Sequence, residues 1–146
     1  MSLGSPNRIY LDANAFISSV EGESDALAFL VGQASAGLVE LYTSELTLAE
    51  VLVSPLKKAQ LELVELYELM LVSDDTLSVV PVDRDILRRS ADIRTALGNK
   101  GADAIHVASA VSNACAAFVS SDKRLRLPDG MTRIDVDRVT GLDDPE

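Results

Sequence analysis

Short, wholly apolar runs alternate with longer amphipathic stretches along most of the chain. Residues 8–11 form a β-rich run without polar alternation, the pattern of a buried parallel strand. Residues 12–17 read as a strand-to-helix turn, where Asp12 and Asn14 suit turn and cap positions. Residues 24–36 carry Ala26, Leu27, Leu30, Val31 and Ala34 at helical spacing, and Gly37 is the expected stop. Residues 39–42 are a brief strand, after which Thr43 or Ser44 caps a helix through Leu46, Ala49, Glu50 and Val53. Pro55 suits the start of a further helix reaching about residue 72. Residues 78–82 predict a strand and 83–98 a helix ending near Gly98. Residues 102–113 predict a helix of small apolar residues, 116–119 a buried strand, and 132–136 a strand that closes the sheet. Strands alternating with helices imply an α/β fold around a central, mainly parallel sheet.

Composition keeps this within one domain. A chain of 146 residues with 47% hydrophobic content is long enough for a single core, built from aliphatic side chains because there is no Trp. Cys115, the single cysteine, lies in an apolar stretch and reads as a buried free thiol, consistent with a reducing cytoplasm. No apolar run is long enough for a membrane span, and no signal-peptide pattern opens the chain. Residues 1–7 are expected to be a flexible leader, partly tag-derived, residues 8–138 the domain, and residues 139–146 an acidic tail.

The formal net charge of −10 weighs against nonspecific nucleic-acid binding, which relies on basic side chains at phosphates. That objection weakens if some of the acids hold a cation. Asp12, Glu50, Asp103 and Asp122 each sit where an apolar segment meets a polar one. A carboxylate beside a core segment is costly unless it is hydrogen-bonded, paired or metal-bound. Asp12 and Asp122 both follow strand candidates, so they emerge on the carboxyl edge of the sheet, where open α/β folds bind ligands. Asp103 lies in the first turn of its helix, and Glu50 sits among apolar neighbours that turn it inward. Brought together, four such carboxylates repel one another, and a hard divalent cation with oxygen ligands is the usual remedy.

Four segments, in order, carry a resemblance: Ile9-Tyr10-Leu11-Asp12-Ala13-Asn14, Leu48-Ala49-Glu50-Val51-Leu52, Asp103-Ala104-Ile105-His106-Val107-Ala108-Ser109-Ala110 and Val119-Ser120-Ser121-Asp122-Lys123-Arg124-Leu125. Together they resemble the PIN-domain ribonucleases, and among these the VapC-type toxins of toxin–antitoxin modules. The resemblance implies a three-layer α/β/α sandwich in which Asp12, Glu50, Asp103 and Asp122 hold Mg²⁺ or Mn²⁺. It implies hydrolysis of RNA phosphodiesters by a water activated at that metal, an antitoxin partner and a homodimer. By the same likeness Asn14 is the small polar partner of the first acid, and Ser120 hydrogen-bonds the cluster. Ser121 stands where the family more often has Asn.

Each residue also has a plainer reading. Asp12 alone is a helix cap after a strand, Asp103 a first-turn anion, and Thr47 with Glu50 fits a capping box if the helix starts late. Glu45 rivals Glu50 but reads as a solvated first-turn acid. His106, three residues after Asp103, reads as a structural hydrogen-bonder and is left out of the site. Arg84, Arg88, Arg89 and Arg94 read as a solvated helix face, whereas Lys123, Arg124 and Arg126 border the site and suit RNA contact. Tyr67, Met70 and leucines off the core stripe of residues 61–71 suit a dimer or antitoxin interface. Two functions outside metal-dependent RNA cleavage remain open: a catalytically quiet PIN-like module that binds a partner or RNA, and a small-molecule phosphohydrolase. The phosphohydrolase lacks a phosphate-gripping glycine loop.

Overall fold

The computed structural model describes residues 7–141. Five strands form one sheet: β1 (Asn7–Leu11), β2 (Val39–Ser44), β3 (Leu77–Val80), β4 (Ala117–Val119) and β5 (Thr132–Ile134). Their order is β3-β2-β1-β4-β5, and every pairing is parallel. Seven α-helices connect them: α1 (Ala13–Val20), α2 (Ala26–Ser35), α3 (Glu45–Val51), α4 (Val53–Lys57), α5 (Leu61–Met70), α6 (Arg84–Leu97) and α7 (Gly101–Ser112). A 3-10 helix, Val136–Gly141, closes the described chain.

The absence of alternation in the strand segments has a direct cause, since both faces of the sheet are covered. Along β1, Ile9 and Leu11 face one layer and Tyr10 the other, because successive side chains of a strand point to opposite faces. The first layer packs Phe16, Leu30, Val51, Tyr67 and Val139 against Ile9, Leu11 and Leu41. The second, smaller layer packs Val107 and Ala110 of α7 with Cys115 against Tyr10 and Phe118. The expected three-layer α/β/α fold is therefore the one observed. Small residues in α7 allow this close approach: Ala104, Ala108 and Ala110 have no exposed surface.

Three expectations are corrected in detail. The single helix expected from Pro55 to about residue 72 is two helices, α4 and α5, separated at Ala59 by a left-handed backbone (φ +53°). No glycine marks that break, and Pro55 sits inside α4 rather than opening a helix. The second helix starts at Ala26 rather than residue 24, with the Ser24 hydroxyl accepting the Ala26 N–H at 3.1 Å. The α6 stop at Gly98 is as expected, since its φ of +81° suits glycine, and a Cβ there would lie 2.9 Å from an Arg126 guanidinium nitrogen. Residues 1–6 of the expected leader and 142–146 of the expected tail lie outside the described residues. Asn7 opens β1, and Val139 of the 3-10 helix is fully buried.

Cys115 is buried beneath α7, and burial pushes its thiol up to about 12. A thiolate is the reactive form, so native protein is expected to react with a disulfide reagent far more slowly than denatured protein at pH 8. Rapid, stoichiometric labelling of the native chain is the result that would contradict this burial.

Candidate active site

The order β3-β2-β1-β4-β5 reverses direction between β1 and β4, so connections leave those neighbouring strands on opposite sides and open a crevice at their carboxyl ends. Asp12 lies at the end of β1. The segment Ser120-Ser121-Asp122 lies at the end of β4. Parallel register puts Leu11 beside Val119, and the Asp12 N–H reaches the Val119 carbonyl at 3.4 Å. Two acids 110 positions apart thus lie at adjoining strand ends.

Asp12 is 9% exposed, and its carboxylate caps α1 by accepting the Ala15 N–H at 3.3 Å. Burial raises its pKa above the ordinary aspartate value, and hydrogen bonds from Ser120 and from the Ala15 and Asn14 amides, with nearby His106, offset part of that rise. Asn14 contributes through its backbone, while its side chain is exposed. Ser120 is fully buried and bridges the two strand ends. Its hydroxyl bonds Asp12 and accepts the Asp122 N–H at 3.1 Å.

Asp103 stands in the first turn of α7, with Lys100 at the N-cap. Its pKa is raised, first by burial and then by the negative charges of Asp122 and Glu50, with His106 and Lys100 opposing. Asp103 and Asp122 line a cleft of about 160 Å³ with Asn99, Lys100, Arg124 and Arg126. Asp122 accepts the Arg124 N–H at 2.9 Å, and the Arg124 guanidinium lies 3.6 Å from the same carboxylate. Arg126 instead donates to the Leu97 carbonyl at 3.0 Å. Lys123 belongs to a wider, neighbouring cleft with Arg133, Asp135 and Arg138.

Glu50 is carried by α3, which begins at Glu45 with Ser44 as N-cap. Thr47 is therefore an interior residue of that helix, and the capping-box reading of Thr47 and Glu50 does not apply. Thr43 donates to the Leu11 carbonyl at 2.7 Å and also meets Thr47 at 2.7 Å, which fixes α3 against the end of β1. Glu50 is partly buried, and its carboxylate takes a 2.6 Å bond from His106 Nε2. His106 is thus a hydrogen-bonder as expected from the sequence, but its partner is one of the candidate acids. Its three-residue spacing from Asp103 on one helix was the available signal, since residues at that spacing share a face. Glu45 is exposed.

The donor chemistry suits a hard cation, with oxygen ligands only and a carboxylate, Asp103, raised in pKa partly by its acidic neighbours. Among the described residues, however, no three Asp, Glu, His or Cys side chains close around a single ion position. Glu50 pairs with His106, and Asp122 lies beside Arg124.

Comparison with known proteins agrees with this architecture. The chain superposes on a toxin–antitoxin complex from Klebsiella pneumoniae at 22% identity and a TM-score of 0.62, covering 84% of this chain and 94% of that one. VapBC2 from Rickettsia felis, bound to a DNA fragment from its promoter, gives 15% identity and a TM-score of 0.67 over 88% of this chain and 98% of that one. VapC20 from Mycobacterium tuberculosis, a sarcin–ricin loop cleaving toxin, gives 14% identity and a TM-score of 0.56 over 75% and 86%. At these identities the likeness is one of fold. No curated protein matches the chain. The pattern of the PIN domain, a family whose members are generally nucleases, matches residues 9–130. That match spans both strand ends, the Glu50 helix and the Asp103 helix, and the chain belongs to the PIN domain family.

Proposed function

We propose that this chain is a metal-dependent endoribonuclease and the toxin of a type II toxin–antitoxin pair. The observation that carries this reading is the placement of Asp12 and Asp122 at adjoining strand ends at the switch of strand order, with Asp103 close enough to Asp122 and Glu50 to feel their charge. Asp12, Asp103 and Asp122 are the principal ligands for Mg²⁺ or Mn²⁺, and Glu50 is a ligand directly or through water. When bound, such a cation lowers the pKa of water and offsets charge on the scissile phosphate. Ser120 fixes the Asp12 carboxylate, and Asp12 in turn ties the site to the first turn of α1. Lys123 and Arg124 offer charge to the flanking RNA phosphates, with Arg126 as a further contact. An antitoxin partner is supported by the fold shared with the Klebsiella and Rickettsia complexes, and RNA as substrate by that shared with VapC20. A homodimer or antitoxin contact is supported by exposed Leu61, Leu66 and Leu69 on α5 and Val72 just beyond it, whereas Tyr67, expected at such a surface, is fully buried in the core. No helix among the described residues is long and apolar enough to cross a membrane, and action on cellular RNA implies a cytoplasmic site of work.

The purified chain is expected to cut single-stranded RNA in Mg²⁺ or Mn²⁺ and to stop in EDTA. Mn²⁺ at about 100 times its Kd should add roughly 2.7 kcal/mol of stability, readable as a higher Tm. RNA left intact with either metal would sink the nuclease reading. That no three Asp, Glu, His or Cys side chains among the described residues close around one ion position favours a second reading, a catalytically quiet PIN-like module that binds a partner or RNA. Calorimetric titration separates the two: absent Mn²⁺ binding, or binding untouched by Asp103→Ala, favours the quiet module.

A further inference from the structure

Four polar side chains form an unbroken line from the sheet to the Glu50 carboxylate. The Ser44 and Tyr10 hydroxyls are 3.0 Å apart, the Tyr10 hydroxyl lies 2.7 Å from His106 Nδ1, and His106 Nε2 lies 2.6 Å from Glu50 Oε1. Tyr10 and Ser44 have no exposed surface, and His106 is 3% exposed. The ring is also held edge-on to Tyr10, with centroids 5.7 Å apart. Its orientation is therefore set by buried partners, with Nδ1 on Tyr10 and Nε2 turned to Glu50.

Both ring nitrogens are engaged. In the Nε2–H tautomer the ring donates to the Glu50 carboxylate, Nδ1 accepts the Tyr10 O–H, and the Ser44 hydroxyl donates to Tyr10. A 2.6 Å bond from a ring that is itself buried and held at its other nitrogen restricts the Glu50 carboxylate.

We propose that His106, locked by Tyr10, is a positioning residue that aims Glu50 for cation binding. This rests on the nuclease reading above, in which Glu50 is a ligand. The residues involved span 96 positions in sequence, Tyr10 to His106, so the arrangement exists only in the folded chain. Buried aromatic and imidazole groups are commonly structural, and the test must separate orienting a ligand from filling space.

Mn²⁺ affinity of the full chain by calorimetry, for wild type, His106→Ala and His106→Gln, makes that separation. His106→Ala is expected to weaken binding about tenfold to a hundredfold, the usual effect of removing a partner that orients a ligand. His106→Gln, whose amide can still donate to Glu50, is expected to recover most of that loss. In metal-free wild type, the ¹⁵N signals of the ring should show Nε2 as a protonated nitrogen, a readout independent of metal and of RNA. Wild-type affinity in His106→Ala, or an unprotonated Nε2, overturns the proposal while leaving the nuclease reading intact. Absence of Mn²⁺ binding by wild type overturns both. If His106→Ala does not fold, His106→Gln and the ring signals decide: Gln binding Mn²⁺ near wild-type strength supports the proposal, and Gln binding a hundredfold more weakly overturns it.

Discussion

Asp12→Asn is expected to lower RNA cleavage by about a hundredfold to a thousandfold, the range seen when one preorganised electrostatic contact is removed at a reacting centre. The same substitution should stabilise the metal-free protein. Asparagine caps a helix as well as aspartate does, so the bond to the Ala15 N–H survives. What disappears is a buried carboxylate whose pKa burial has raised. A raised carboxyl pKa means that the folded state resists ionisation. The stability associated with the protonated form is complete below the unfolded-state value and is lost as pH rises through the folded-state value. The Tm advantage of Asp12→Asn should therefore be absent in strong acid, open as pH rises through that window, and stay constant above it. Paired melting curves across pH, without metal, measure it. A variant that loses both activity and stability at neutral pH would mean Asp12 is chiefly a structural cap.

Phe118→Ala is expected to be the most damaging substitution for stability, costing about 3–5 kcal/mol. That is a large part of the roughly 5–15 kcal/mol that holds a typical domain together. Phe118 is 1% exposed at the centre of the smaller layer, where it packs on Tyr10 at a ring-centroid distance of 5.0 Å and lies beneath Val107 and Ala110. That layer has few large side chains, and α7 meets it with Val107 and Ala110, short side chains that cannot expand into the space left behind. The same loss frees the Tyr10 ring and so loosens the support of His106. Chemical denaturation should therefore show a lower midpoint, and Mn²⁺ affinity should fall even where the variant is still folded. A midpoint shift equivalent to less than about 1 kcal/mol would mean that α7 can collapse onto the sheet.

The legible parts of this molecule were those governed by near neighbours. Ile9-Tyr10-Leu11 and Ala117-Phe118-Val119 lack alternation because each strand is covered on both faces, which marks them as central parallel strands without any knowledge of their partners. Asp83 and Gly98 bracket α6 through a local cap bond and a left-handed backbone, both properties of a few consecutive residues. The α4–α5 break was illegible for the complementary reason: Ala59 adopts a conformation for which alanine carries no preference, and its neighbours all favour helix.

The candidate site divides along the same line. From the sequence alone came the fold class, the strand ends that carry Asp12 and Asp122, and the candidacy of Glu50 and Asp103, because each is a polar interruption of an apolar segment. Only the tertiary structure decided who touches whom. Ser120 joins the two strand ends, and Glu50 turns to His106. The preferences that set strands and caps act over a few residues, whereas these contacts depend on chain segments 56 or more positions apart, such as Glu50 and His106, packing at a particular depth and rotation. Side-chain direction at a helix surface is set by that packing, and no local pattern encodes it.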